Sequence, residues 1–401
     1  MKTWRKTMKR LALFTAIIAI VLSSDCFAGG LTRVGGIGSR AGAMGGAFGA
    51  TANDSTLFYY NPAGMAQFGT TYVDAGMDVI FPRFKYESHD SSNDAWYAMP
   101  YAGIIYPIND DINIGLGLTV PYGQGAEFEK SWPLPKSETL ISLTNITPAL
   151  SLRLADNLYV GAGLNIGYTQ FKYQAPFDIK GLFINPIKTD NKADGFGIGA
   201  TFGILYYPTE KLSLGLTYMS ELKADLNGES DISIGPISIH DKFDSDFTFP
   251  PRLGIGIAYK LTDRLKMEFD ANWYGYSKTV DSMKLSFKKL HFTKTSDMDW
   301  RDNYGLHLGA EYRLGNDWWL RGGATYLSKA VPDSTISQLT PDASGWDIAL
   351  GIECQKEHFS FSAGAIYGWG KNDVERGFGV LYPGKYEAQT ITIGAQIGWQ
   401  F

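Results

Sequence analysis

Apolar and polar residues alternate one for one along most of this chain. Near the C-terminus Ile391, Ile393, Ala395, Ile397, Trp399 and Phe401 are apolar, and Thr390, Thr392, Gly394, Gln396, Gly398 and Gln400 between them are polar or small. A period of two puts the first set on one face of a β-strand and the second on the other. The pattern recurs at Ile112–Val120, Leu158–Tyr168, Leu212–Tyr218, Leu253–Tyr259, Leu265–Trp273, Tyr304–Leu314, Trp318–Tyr326 and Trp346–Ile352. The longer runs reach about ten residues, past the five or six common in soluble sheets. That is the length, roughly 9–11 residues, with which a tilted strand crosses a bilayer.

Short polar turns punctuate the strands at Asn109-Asp110, Asp156-Asn157, Thr209-Glu210, Thr262-Asp263, Asn316-Asp317 and Lys356-Glu357. Longer polar stretches lie near 87–95, 123–141, 175–193, 224–245, 280–299, 330–343 and 371–386. Six short turns and seven long loops predict fourteen strands with both chain ends on one side. Short turns at one end and long loops at the other mark bacterial outer-membrane barrels. A secreted β-sandwich or propeller is the soluble alternative, and strand length and loop asymmetry weigh against it. The expected fold is therefore all-β, a 14-stranded antiparallel transmembrane β-barrel over residues 70–401. Its terminal strand, ending in Phe401, is the segment expected to meet the barrel assembly machinery.

Residues 1–28 read as a signal peptide. Lys2, Arg5, Lys6, Lys9 and Arg10 form a basic head, Leu11–Leu22 an apolar core of 12 residues, and Ser24-Asp25-Cys26-Phe27-Ala28 a cleavage region ahead of Gly29. That core is too short to span a bilayer. Acylation at Cys26 is disfavoured by Asp25, since a small residue is wanted there. Cleavage leaves Cys354 as the sole cysteine, so no internal disulfide forms.

Composition narrows the function. Aromatic residues make up 14% and charged residues 19% of the 401 positions, with a formal charge of −5. An acidic chain without a basic stripe is a poor nucleic-acid binder, and so rich an aromatic content excludes intrinsic disorder. No apolar run approaches the ~20 residues of a membrane helix.

Residues 29–69 do not alternate and hold 11 glycines. A fourteen-stranded barrel has a lumen wider than its wall side chains fill, and this segment is the expected plug within it. Gly35-Gly36-Ile37-Gly38-Ser39-Arg40 has neither Walker nor dinucleotide spacing and follows no strand, which removes phosphate binding.

Gly42-Ala43-Met44-Gly45-Gly46-Ala47, Asp54 and Asn61-Pro62-Ala63-Gly64 resemble the N-terminal hatch of FadL-type outer-membrane transporters, which carry long-chain fatty acids and other hydrophobic compounds. The resemblance continues along the mature chain at Pro121-Tyr122-Gly123-Gln124-Gly125-Ala126-Glu127-Phe128, Thr147-Pro148-Ala149-Leu150-Ser151, Trp319-Leu320-Arg321-Gly322-Gly323 and Val331-Pro332-Asp333. It implies that a hydrophobic ligand enters from outside, binds in the lumen, and leaves sideways into outer-membrane lipid where the third strand kinks.

The kink would fall on Pro121, Tyr122 and Gly123. Proline has no amide to give the ladder and glycine lets the chain fold inward; the plain reading is that Pro121 ends the strand. Gly45, Gly46, Asn61, Pro62 and Ala63 would seat the hatch, although Asn-Pro is also an ordinary turn signal. By the resemblance, the positions that meet a ligand carboxylate fall on Gln170 and Arg301. Gln170 is uncharged, which opens a place for neutral or aromatic ligands, and Arg301 reads equally as an outer-loop charge. His307 shares an inward face with Gly305, Gly309, Glu311 and Arg313, as a polar lumen network would, and Lys266, Glu268 and Asp270 read as a charged lumen wall. No catalytic motif, metal-ligand spacing or cofactor signature stands out. The expectation is a transporter rather than an enzyme, with a general porin as the alternative and an outer-membrane hydrolase or adhesin further off.

Overall fold

The computed structural model describes residues 30–32, 36–87, 89–90, 96–128, 137–177, 187–234, 237–337, 340–376 and 383–401. The signal segment 1–28, Cys26 included, lies outside them. Strand segments follow in chain order as β1 (Tyr72–Tyr86), β2 (His89–Asp90), β3 (Tyr97–Pro107), β4 (Ile112–Phe128), β5 (Ser137–Ala155), β6 (Leu158–Phe177), β7 (Ile187–Thr209), β8 (Leu212–Met219), β9 (Leu222–Ile234) and β10 (Ile237–Phe249). They continue as β11 (Arg252–Lys260), β12 (Leu265–Tyr274), β13 (Ser282–Phe287), β14 (Phe292–Asp297), β15 (Asn303–Arg313), β16 (Trp318–Leu327), β17 (Ser344–Lys356), β18 (Phe359–Val374) and β19 (Gly384–Gln400).

Pairing is antiparallel, and β1 meets β19 from Tyr72 opposite Gln400 to Tyr86 opposite Tyr386, which closes the sheet into a barrel. Fourteen staves result. β2 with β3 makes the second, β4 the third, β8 with β9 the seventh and β10 with β11 the eighth, while the β13–β14 hairpin rises above β12 and β15.

The alternation becomes a wall with two solvents. Outward side chains such as Phe196 (65% exposed), Leu350 (67%) and Ile393 (54%) form an apolar belt, while Thr392, Gly394 and Gln396 face inward and are buried. Soluble surfaces rarely carry apolar patches beyond a few hundred Å²; a continuous belt is what acyl chains solvate.

The six short turns stand where the pattern predicts them, between β3 and β4, β5 and β6, β7 and β8, β11 and β12, β15 and β16, and β17 and β18. At the opposite end the structure corrects the reading. Much of the polar sequence at 123–141, 187–193, 224–245 and 280–299 is paired strand rather than loop, as in β9 against β10 and β13 against β14. Beyond the bilayer the contrast is inverted rather than lost, with Lys223, Asp225 and Glu229 outward and Leu222, Ala224 and Leu226 buried inward, so the stretch does not read as a lipid-facing strand.

The N-terminal segment packs inside the barrel. It forms α1 (Ser39–Ala43), α2 (Leu57–Tyr60) and a 3₁₀ turn (Pro62–Gln67), and residues 36–65 are buried almost throughout. Helices this short leave most backbone groups without internal partners, so the wall must supply them. Asp78 accepts from Gly38 N–H (2.9 Å), Asp74 from Ser55 (3.0 Å), Asp270 from Phe48 (3.0 Å) and Gly49 (2.7 Å), and Glu268 from Ala50 (2.7 Å). Thr325 and His307 both bond the carbonyl of Gly45. Gly45 (φ 65°) and Gly46 (φ 80°) hold left-handed conformations, and a Cβ on Gly45 would stand 2.8 Å from the Ala324 nitrogen.

Beneath this segment runs an alternating chain of charges. Asp54 meets Arg40 (3.8 Å), Arg40 meets Glu353 (3.2 Å), Arg321 bridges Glu353 and Glu311, and Lys266 meets Glu311 (3.1 Å). Replacing Arg321 with Met leaves Glu311 and Glu353 buried without their shared cation, a loss of roughly 3–5 kcal/mol. The expected result is a clearly lower temperature for loss of the folded band in heat-modifiability gels. An unchanged transition would show that Lys266 and Arg40 carry the two carboxylates unaided.

Candidate functional site

Met219, Arg252, Tyr274 and Asn303 stand side by side as register partners, and β8, β11, β12 and β15 all end at this row. The break has a local cause at Pro250-Pro251, two residues without an amide for the ladder. Above the row, chain segments turn inward over the N-terminal segment and build one aromatic cluster. Tyr122 of β4 stacks on Phe249 (5.7 Å between centroids) and donates its hydroxyl to the Pro250 carbonyl (2.9 Å). Tyr276 packs on Trp300 (5.5 Å). Its hydroxyl accepts from Leu31 N–H (2.9 Å) and lies 3.0 Å from Thr32 Oγ1, so the first described residues of the chain occupy this aromatic site.

Arg252 sits at its floor, 2% exposed. The guanidinium lies 4.0 Å over the Tyr59 ring, and Nη2 donates to the carbonyls of Tyr59 and Tyr60 at the end of α2. A cation over an aromatic face and against a helix C-terminus is favourably placed. Arg252 went unnoticed in the sequence because it precedes the run that begins at Leu253. Extending that alternation one residue back places it on the inward face with Gly254, Gly256 and Ala258.

Beside this cluster the backbone ladder of the wall lapses, although Val120 still packs against Met99 and Ile80. β4 pairs with β3 only up to Leu118 opposite Ala102, whereas β3 continues along β1 to Tyr97 opposite Ile80. Continuing the register would set Val120 against Pro100, and neither Pro100 nor Pro121 has an amide to offer. On its other edge β4 keeps β5, with a register shift between Thr119 and Tyr122 that inserts one extra residue. The bulge reverses the side-chain parity, which turns Tyr122 and Gln124 inward, and residues 120–126 are all buried. The free edge is partly satisfied from within, where Gly123 N–H donates to Leu31 O (3.0 Å) and Thr32 bridges to Tyr122.

Asn61 makes both the turn and the tie. Its Oδ1 accepts from Ala63 N–H (3.1 Å), while Nδ2 donates to Gly49 O (2.9 Å) and across to Ile204 O of the wall (3.0 Å). Pro62 and Ala63 press against Gly161, which has no side chain to obstruct them. His307 Nδ1 donates to Gly45 O (2.8 Å), and Lys266, Glu268 and Asp270 line the lumen as their alternation implies.

The two positions carried over for a ligand carboxylate are not brought together. Thr169 and Phe171 take the inward positions on β6, so Gln170 faces outward into a cleft with Tyr168, Lys172, Asp190 and Lys192. The side chain of Arg301 is exposed at the outer rim, while its neighbour Trp300 turns inward. Near Arg301 burial pushes the Asp333 carboxyl up, but hydrogen bonds from Lys329 and Asn372, with the charges of Lys329 and Arg301, hold it below its ordinary value. Among the described residues no group of three or more His, Cys, Asp or Glu could hold a metal ion.

A closed barrel of fourteen staves with an apolar belt and a filled lumen defines a membrane-spanning barrel of the bacterial outer-membrane type. The chain belongs to the outer membrane protein transport protein (OMPP1/FadL/TodX) family, matched over residues 19–401. It is similar to the long-chain fatty acid transport protein of Escherichia coli O6:H1 (strain CFT073), with 24% identity over 414 residues, 90% of this chain and 92% of that protein. Outer membrane protein P1 of Haemophilus influenzae is 24% identical over 277 residues, so that match spans 60% of the relative's length and 59% of this chain. Two solved structures share the fold. A Pseudomonas aeruginosa FadL homologue has a TM-score of 0.77 at 17% identity, covering 95% of this chain and 99% of that one. The Ralstonia pickettii toluene transporter TbuX has a TM-score of 0.76 at 18% identity, covering 92% and 99%. The protein is a multi-pass barrel of the bacterial outer membrane and a member of a family of transport proteins.

Proposed function

We propose that the protein takes up hydrophobic small molecules, long-chain fatty acids or aromatic hydrocarbons, passively across the outer membrane. The ligand is held in the aromatic cluster above Arg252 and leaves sideways into lipid between β3 and β4. The loss of β3–β4 pairing above Leu118 carries this reading. Unpaired backbone at membrane depth is tolerated where it lines a cavity or packs on protein, and this stretch adjoins the aromatic cluster through Tyr122. The names of the relatives, a fatty acid transport protein and a toluene transporter, support the ligand class. Residues 29–69 act as the hatch, and the C-terminal strand ending at Phe401 is the part read by the barrel assembly machinery. His307, committed to the Gly45 carbonyl, has a structural role rather than a catalytic one.

The test is accumulation of labelled oleate and of labelled toluene by cells lacking their own carriers of this kind. Saturable, barrel-dependent accumulation of at least one is expected, without enhanced entry of small polar solutes. Polar-solute entry without hydrophobic uptake would favour the porin instead.

A further inference from the structure

At the end of the barrel away from the aromatic cluster, a cavity of about 580 Å³ opens between Asp317, Lys356, Glu357, His358, Phe359 and Trp399. Short turns face the periplasm in barrels of this type, and the turns carrying Asp317 and Glu357 sit side by side, with Gln355 N–H donating to Asp317 O (2.8 Å). Strand register sets Lys356 opposite Phe359 and Phe359 opposite Trp399, one cross-strand row on the outward face. The next outward row up is Cys354, Phe361 and Ile397, so the cavity lies where the apolar belt ends. Phe359 packs edge-on against Trp399 (6.4 Å between centroids), and the His358 ring stacks beside the same indole (6.3 Å). Aromatic residues at such a boundary meet the lipid headgroups. The charges of the cavity are of both signs, and they are not spent on one another. Among the described residues Asp317, Lys356, Glu357 and His358 enter no ion pair. Glu357 also holds a left-handed backbone (φ 41°) in a two-residue turn, where asparagine or glycine is the usual choice. The turn itself gives no reason for a glutamate there.

We propose that this cavity holds the head of a glycerophospholipid of the periplasmic leaflet, one that carries a primary ammonium beside its phosphate. Lys356 takes the phosphodiester oxygens, and Asp317 and Glu357 accept from the ammonium. The acyl chains run up the outward face over Phe359 and Trp399 toward Phe361 and Ile397. The signs of the charges select the class. A head with a phosphate and no amine sets its negative charge against two carboxylates, and an uncharged head meets neither sign. A primary ammonium has three N–H donors to divide between the two carboxylates. No lumen residue takes part, so the site stands whether or not the uptake reading does.

Native mass spectrometry of the full chain with added lipid tests this. Dioleoyl phosphatidylethanolamine and dioleoyl phosphatidylglycerol share their chains and phosphate and differ in the ammonium. Wild-type protein is expected to bind the ethanolamine lipid about three- to tenfold more tightly, the range that two exposed ion pairs confer. The double variant Asp317→Asn, Glu357→Gln should remove that preference. Lys356→Gln should weaken both lipids, because both carry the phosphate. Equal wild-type affinity for the two lipids overturns the site. A preference that survives in the double variant overturns it too, and places the lipid elsewhere on the belt. A Lys356→Gln protein that holds both lipids as before overturns the phosphate contact. The substituted side chains lie at the ends of short turns, and the wild-type comparison needs no variant, so it decides even where a variant does not assemble.

Discussion

Deleting Pro121 is expected to stop hydrophobic uptake while leaving the barrel assembled. The bulge sets Val120 and Pro121 into the interval that Thr144 alone fills on β5, between Asn145 opposite Thr119 and Leu143 opposite Tyr122. Removing one residue restores a regular ladder. Tyr122 still meets Leu143, and every pair beyond it to Phe128 opposite Ser137 is kept. Straightened, β4 can run on beside β3, and Pro100→Val supplies the amide that edge lacks. Each new backbone hydrogen bond is worth about 1 kcal/mol, so two of them make reopening of the gap more than about tenfold rarer. Accumulation of labelled oleate at equal surface expression should fall by about that factor or more, with binding to purified protein retained. Unchanged accumulation would place the exit elsewhere in the wall.

Removal of residues 29–69 is expected to have the opposite effect, a leak. Barrels of sixteen to eighteen strands leave an aqueous channel, and fourteen staves emptied of this segment approach that case. Planar-bilayer conductance should rise by at least about tenfold over the full chain. The emptied wall is also weakened, because Asp74, Asp78, Glu268 and Asp270 lose the amides they accept from. Gly45→Val is the gentler companion. Its left-handed backbone and the Ala324 backbone exclude a side chain, so the hatch should seat poorly and pass intermittent current. A quiet barrel in both variants would mean that the wall side chains close the lumen by themselves.

The coupling between these two parts runs through few atoms. Leu31 and Thr32 hold both the free edge of β4, at Gly123 and Tyr122, and the hydroxyl of Tyr276. Arg252 holds the end of α2 from below. On the proposed uptake route, a ligand entering the aromatic cluster would meet the N-terminal segment and the third stave at once.

Alternation by itself determined that this chain is a barrel, how many staves it has, where the short turns lie and which face of each stave meets lipid. A membrane makes that possible, since lipid outside and a polar lumen inside impose opposite demands on successive residues of every strand. The glycine-rich start was legible as a segment outside the wall for the same reason, since it does not alternate, and it packs buried against the inward faces of the staves. Pro121 announced a disturbance in the third stave, but not that the extended register would set Pro100 against the adjacent Val120, because strand pairing is a relation between distant segments. The outer hairpins were missed because they turn charged residues outward and apolar ones such as Leu226 and Phe243 inward, the reverse of the lipid-facing wall. The positions of Gln170 and Arg301 depended on strand parity and on where a loop folds, and the tertiary structure turned both away from the lumen. The inward orientation of Arg252 follows from the alternation extended one residue back, but its surroundings were decided by the tertiary structure. Its neighbours Tyr59 and Tyr60 come from the N-terminal segment and Tyr274 from the adjoining stave, and only closure of the barrel around its own N-terminal segment brings the guanidinium among them.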